Sequence, residues 1–268
     1  ISDGKRISLA GDWKYRIGLS LTGFPPAPVS PVQSSSYPTV LFNAMVKPWT
    51  AFPIKGVIWY QGEANVGRSE QYGDLFPALI TDWRRQWRSD FPFYFVQLAN
   101  FMESKKIQPD SEWAALREAQ TKALKLDQVG MAVTIDIGLA DDIHPKNKQE
   151  VGRRLALVAL AGSYGKNVSS SAPVFQNYII KGNKMELDFG QKQDGFQIKG
   201  TTLKGFTIAG PDRVFYPAEA MVHDGKIILS STEVPAPLAA RYGWADNPDC
   251  NLYGENGLPV APFRTDCW

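Results

Sequence analysis

The chain holds two histidines, and one of them stands where chemistry could be done. His144 lies in Asp141-Asp142-Ile143-His144-Pro145, just after an apolar stretch and just before a helical pattern. A carboxylate three residues before a histidine, in a turn, can bend back to Nδ1. That fixes the tautomer and leaves Nε2 free as a general base. Asp141 has this spacing, and Asp142 is the alternative. The structural alternative for the whole group is a capped helix start with solvated acids. A second polar cluster, Gln61-Gly62-Glu63-Ala64-Asn65, follows the run Gly56-Val57-Ile58-Trp59-Tyr60. The Gly62 N–H and the Asn65 amide are donors of the kind that stabilise an oxyanion in acyl transfer. Gln61 and Glu63 are candidate substrate contacts, and Glu63 could equally pair with a local arginine. Taken alone, a glycine and an asparagine in a loop make an ordinary turn.

A base and oxyanion donors require a nucleophile placed tightly against them. No serine sits in a strand-to-loop elbow ahead of Gly56. Ser34-Ser35-Ser36 falls in a proline-rich stretch without a preceding apolar strand, which makes it a poor candidate. His223 beside Asp224-Gly225 reads as a surface turn residue. Arg117 sits on a predicted helix, where a solvated or ion-paired arginine is the default.

The elements that must position these groups follow from periodicity. Ile54–Tyr60 is short, β-branched and aromatic without polar alternation, as in a parallel strand buried on both faces. Tyr72, Leu75, Phe76, Leu79, Ile80, Trp83 and Trp87 then share one helical face. Pro77 interrupts it, so a first turn near Ser69–Gly73 and a main helix from Pro77 are expected. A second strand is predicted over Phe93–Leu98. A helix follows, capped at Ser111 and burying Trp113, Leu116, Ala123 and Leu124. A third strand is predicted over Met131–Ile137 and a helix over Pro145–Leu160. Alternating strands and helices give a parallel sheet with right-handed crossovers. Ligands bind outside the carboxyl ends of such strands, which puts both polar clusters on one edge.

Before this unit, residues 1–18 read as two short strands and 19–39 as a Pro/Ser-rich linker. A helix is expected over Leu41–Val46, ending before Pro48. After it the pattern changes to short strands. Lys181-Gly182-Asn183 and Asp224-Gly225 mark hairpin turns, and a β-sandwich is expected, with a loop-rich tail over 233–268. Predicted domains are 1–38, the end of a β domain with its linker; 39–165, the α/β part; and 166–268, the β-sandwich.

Composition narrows the function classes. Hydrophobic residues make up 44% and charged residues 21% of 268 residues, which suits a globular protein. A formal net charge of +2 offers no electrostatic case for nucleic acid or an anionic membrane. No apolar run is long enough to span a bilayer. The two cysteines, Cys250 and Cys267, lack zinc-type pairing and can be a disulfide or two thiols. No Walker or dinucleotide glycine loop is present, so no cofactor is expected. Eight tryptophans suggest either core filling or an aromatic carbohydrate cleft, with core filling the default.

Trp59-Tyr60-Gln61-Gly62-Glu63-Ala64-Asn65 and Asp142-Ile143-His144-Pro145-Lys146-Asn147-Lys148-Gln149 resemble bacterial sialate O-acetylesterases, serine hydrolases of the SGNH class. The likeness extends to Asn247-Pro248-Asp249-Cys250-Asn251-Leu252-Tyr253. It implies a partial flavodoxin-like parallel sheet with helices on both faces, a C-terminal β-sandwich and an N-terminal β remnant. It also implies removal of O-acetyl groups from sialic acid, in a periplasmic or secreted setting. His144 matches the family's catalytic histidine, and Gly62 and Asn65 match its oxyanion block. Asp141 matches the general spacing of the class, while Asp142 matches this family. The nucleophile segment, of Gly-Gln-Ser-Asn type, is absent. The expectation is therefore a C-terminal portion, inactive alone, partnered by an N-terminal fragment that carries the serine. A non-catalytic glycan-binding module or scaffold subunit is the alternative.

Overall fold

The computed structural model describes residues 37–190 and 195–268. The strands expected in residues 1–18, the linker and Ser34 to Ser36 lie outside the described residues. The chain divides into two compact units, Ile1–Trp49 and Thr50–Trp268. In the first, a π-helical turn over Phe42–Val46 runs on into a 3-10 turn over Lys47–Trp49. Pro48 therefore lies inside the turn rather than beyond it.

The second unit opens with a parallel sheet of three strands: β1 (Val57–Trp59), β2 (Phe93–Val96) and β3 (Val129–Ala132), in the order β1-β2-β3. Register runs from Val57 to Phe93 to Val129. Every residue of β2 is buried. Its alternation divides the core in two. Phe93 and Phe95 pack with Tyr72, Phe76 and Ile80 of α1 (Ser69–Trp87) and with Trp113 and Leu116 of α2 (Glu112–Thr121). Tyr94 and Val96 pack on the other face with Val151, Leu155 and Val158 of α3 (Lys148–Gly162). Helices thus cover both faces. Trp59, Trp83, Trp87 and Trp113 belong to the first of these cores, as the default for tryptophan required.

Several sequence expectations shift. Among the described residues β1 is an edge strand, and Ile58 at its centre is 70% exposed, so the run is not buried on both faces. The apolar pattern reports affinity for a neighbour, and among the described residues β1 has one strand partner, β2. α1 is continuous through Pro77. A proline inside a helix costs about 3 kcal/mol, but Tyr72, Phe76 and Ile80 flank it on one buried face and contribute roughly 1.5–3 kcal/mol each. Ser111 caps α2, accepting from the Ala114 N–H at 3.0 Å. Leu124, expected in the core, is exposed because the helix tightens to 3-10 over Lys122–Lys125 and turns it outward. β3 begins two residues earlier than expected and ends at Ala132. α3 begins at Lys148 rather than Pro145, because Asn147 is the cap and accepts from the Glu150 N–H.

The antiparallel part contains β4 (Asn177–Lys181), β5 (Lys184–Asp188), β6 (Phe196–Ile198), β7 (Phe206–Ala209), β8 (Phe215–Pro217), β9 (Glu219–His223), β10 (Lys226–Ser230), β11 (Ala239–Tyr242), β12 (Leu252–Gly254) and β13 (Phe263–Arg264). They form sheets ordered β4-β5-β10-β9 and β13-β11-β7-β8, with a separate pair β12-β6. One core joins them, including Met185, Leu187, Ile227 and Leu229 from the first sheet and Phe206, Ile208 and Tyr242 from the second. Asp224 and Gly225 both have positive φ, as a type I′ hairpin turn requires. The tail read as loop-rich supplies three strands, β11 to β13. Arg241 hides β11 from a hydrophobic reading, since its guanidinium is buried on Asp266 by bonds of 2.8 and 2.6 Å. Cys250 and Cys267 are free thiols.

Candidate active site

The carboxyl end of β1 leads through Tyr60 into Gln61 and Gly62 and a 3-10 turn over Glu63–Asn65. Gly62 has φ of 150° and is buried, and a side chain there would meet the Gln120 amide at 3.1 Å. The backbone therefore favours glycine, and the space leaves little room for more. Gln120, fully buried on α2, straps the strand ends together. Its Oε1 accepts from Leu98 N–H at 2.9 Å, and its Nε2 donates to the Gln61 carbonyl at 3.3 Å.

The Gln61 side chain does not point into open solvent. Its Nε2 donates to Asn65 Oδ1 at 2.7 Å, and its Oε1 accepts from the Tyr72 hydroxyl at 3.1 Å. With Oδ1 occupied, the Asn65 NH2 is the end of that amide with no hydrogen bond among the described residues. Burial, with Glu63 nearby, pushes the Tyr60 hydroxyl up to about 12. It has no hydrogen-bond partner among the described residues.

On the His144 loop, Asp142 Oδ1 accepts from the His144 backbone N–H at 2.9 Å and stands 3.6 Å from Nδ1. Lys146 approaches the other Asp142 oxygen at 3.9 Å. Asp141 is exposed, and no ion pair to the imidazole forms from it among the described residues. The His144 side chain is 87% exposed.

The two loops meet. Gln61, Glu63 and Ala64 from one side and Ile143, His144 and Lys148 from the other line a single cavity of about 360 Å³, with Tyr60 among its walls. Asn65 is one hydrogen bond behind Gln61. Glu63 forms no salt bridge among the described residues, and it lines the cavity.

Sequence reasoning missed Tyr60, Tyr72, Gln120 and Lys148. Gln120 carried a usable signal, since it shares a helical face with Trp113 and Leu116 and is polar where that face is apolar. Arg117 was misjudged. It is fully buried and donates to four carbonyls: Leu98 at 2.8 Å, Ala99 at 2.8 Å, Ala245 at 2.7 Å and Asp246 at 2.8 Å. Burial lowers its guanidinium to about 9, still charged at neutral pH. From there the bracing runs to the His144 loop. Asn100 bonds Asn247 at 2.8 Å and accepts from Gly138 N–H at 2.6 Å, and Met102 N–H donates to Ala140 at 3.1 Å. Asp246 also accepts from Gln108 and from Ser111.

Residues 30–161 match a family model described as carbohydrate esterase, sialic acid-specific acetylesterase. Sialate O-acetylesterases of Pongo abelii and Homo sapiens are 32% and 31% identical over 94% of this chain and 54% of each relative. The Rattus norvegicus enzyme is 29% identical over 88% of this chain and 48% of its own length. The chain thus spans about half the length of the curated relatives it matches. A crystal structure of a carbohydrate acetylesterase from Xanthomonas citri superposes with a TM-score of 0.82 and 46% identity, over 86% of this chain and 55% of that one. By sequence and by fold, the chain is similar to sialate O-acetylesterases and to a carbohydrate acetylesterase, and residues 30–161 match the sialic acid-specific acetylesterase family of carbohydrate esterases.

Proposed function

We propose that this chain supplies the histidine and oxyanion half of an esterase that removes O-acetyl groups from sialic acid. The observation that supports it most is the single cavity in which His144 faces Gln61 and Glu63 from a different βα loop. In this reading His144 Nε2 takes the proton of a serine hydroxyl as its oxygen attacks the acetyl carbonyl. The Gly62 N–H and the Asn65 NH2 receive the oxyanion. The tetrahedral intermediate then collapses, and Nε2 returns the proton to the departing sugar oxygen. Water, activated by the same imidazole, releases acetate and restores the serine. Asp142 supports the imidazolium, since its carboxylate is the one beside Nδ1.

We place the serine on a segment outside these residues, seated beside β1, where Ile58 is exposed and no second strand pairs among the described residues. The length of the relatives makes room for such a segment. The test is acetate release from O-acetylated sialic acid by the polypeptide that carries this chain, against its His144→Ala variant. A loss of about 10³-fold or more is expected, as for removal of a catalytic base. Retention of activity within tenfold removes His144 from the mechanism.

A further inference from the structure

Among the described residues one ammonium group lines the cavity at His144, and the mechanism does not use it. Lys148 is the first residue of α3 and lines this cavity. Its Nζ lies 4.7 Å from the centroid of the Tyr60 ring, which steadies a cation over a π face. Its neighbours are engaged elsewhere. Lys146 pairs with Asp142, and Arg153 and Arg154 share Glu150. No carboxylate pairs with Lys148 among the described residues. Nor does the helix call for a cation there, since the positive end of its dipole opposes one. Glu63 lines the same cavity and is an acceptor for hydroxyl or amide protons. The volume, about 360 Å³, lies within the roughly 300–1,000 Å³ range of small-molecule sites.

An ammonium without a counterion among the described residues and an acceptor carboxylate, both beside the histidine, suit a substrate that is itself acidic and hydroxyl-rich. We propose that Lys148 binds the carboxylate of the sugar and so selects acidic sugar esters over neutral ones. The proposal rests on the esterase reading of the cavity and adds the group that decides its specificity. A charge-assisted contact of this kind, exposed to water, weakens as salt rises.

The test compares three esters in the polypeptide that carries this chain: O-acetylated N-acetylneuraminic acid, its methyl ester, and 4-nitrophenyl acetate. Lys148→Met is expected to raise KM for the free acid about tenfold, the scale of one charge-assisted hydrogen bond. It leaves the methyl ester and the nitrophenyl ester within about twofold, because neither carries the carboxylate. Lys148→Arg keeps most of the preference for the acid. A KM that rises equally for acid and methyl ester, or for neither, overturns the proposal. Binding separates this result from the fate of the catalytic reading. Free N-acetylneuraminate, titrated by NMR against wild type and Lys148→Met, must lose affinity in the variant whether or not the protein hydrolyses esters. Binding unchanged by Lys148→Met overturns the proposal independently of turnover. Absent hydrolysis, with binding that depends on Lys148, overturns the esterase reading alone.

Discussion

The Gln61 amide is the point at which a small substitution should have a large effect. Its Nε2 donates to Asn65 Oδ1 at 2.7 Å, and its Oε1 is held by the Tyr72 hydroxyl at 3.1 Å. These two bonds set which end of the Asn65 amide is free. Gln61→Glu keeps the shape but replaces the donating NH2 with an acceptor oxygen. Two acceptors at 2.7 Å repel, so the Asn65 amide turns over, offers its NH2 to the new carboxylate, and presents Oδ1 toward the reacting carbonyl. The proposed oxyanion site then loses a donor and gains an acceptor. Removing one such donor costs roughly 3 kcal/mol, or 100- to 1,000-fold in kcat. KM should hardly move, because the interaction forms in the transition state. Tyr72→Phe releases the pin on Gln61 without reversing it, and about tenfold or less is expected. The assay is steady-state acetate release, paired with 15N-resolved NMR of the Asn65 side-chain amide, whose protons should shift on Gln61→Glu. A Gln61→Glu enzyme within twofold of wild type, or one that loses only in KM, refutes the relay.

Other consequences are more local. Asp142→Asn should lower kcat roughly 10²-fold or more by removing the support of the imidazolium, while Asp141→Asn stays within about twofold; the reverse order in the same assay would assign the acid to Asp141. Arg117→Met leaves carbonyls of Leu98, Ala245 and Asp246 without this donor. A loss of about 3–5 kcal/mol in urea denaturation is expected, and a loss under 1 kcal/mol would show that water replaces it. Glu150 gives an acid-side signature. Arg153 first, and then Arg154, hold its carboxyl down at about 2 instead of 4.5. A folded-state value below the unfolded one means stability that is full above about 4.5 and is lost as pH falls toward 2. Tm against pH should therefore fall less steeply over that window in Glu150→Gln than in wild type.

What could be read from the sequence was what local pattern determines. The alternation of Phe93, Tyr94, Phe95 and Val96 divides the two helical layers, and the Ser111 cap and the Asp224-Gly225 turn are set by the nearest few residues. The rest depends on partners distant in the chain. Ile58 looks like core because its run is apolar, yet its exposure depends on which strand stands beside it. Arg117 looks like surface because its carbonyl partners Ala245 and Asp246 come from the far end of the chain. That His144 shares a cavity with Gln61 and Glu63 was legible from their place after strands. The Gln61–Tyr72 bond was not, since it joins a loop to the next helix. Nor was the lack of a carboxylate partner for Lys148 among the described residues, which follows from how its neighbours are engaged.

The central claim is that this half-site activates a serine held on another segment. A fluorophosphonate probe reacts with serines made nucleophilic by a neighbouring base. Applied to the polypeptide that carries this chain and read by peptide mass spectrometry, it should label one serine outside residues 1–268, and the label should vanish in His144→Ala. Labelling that persists at the wild-type rate in His144→Ala, or no serine labelled at all, would contradict the account.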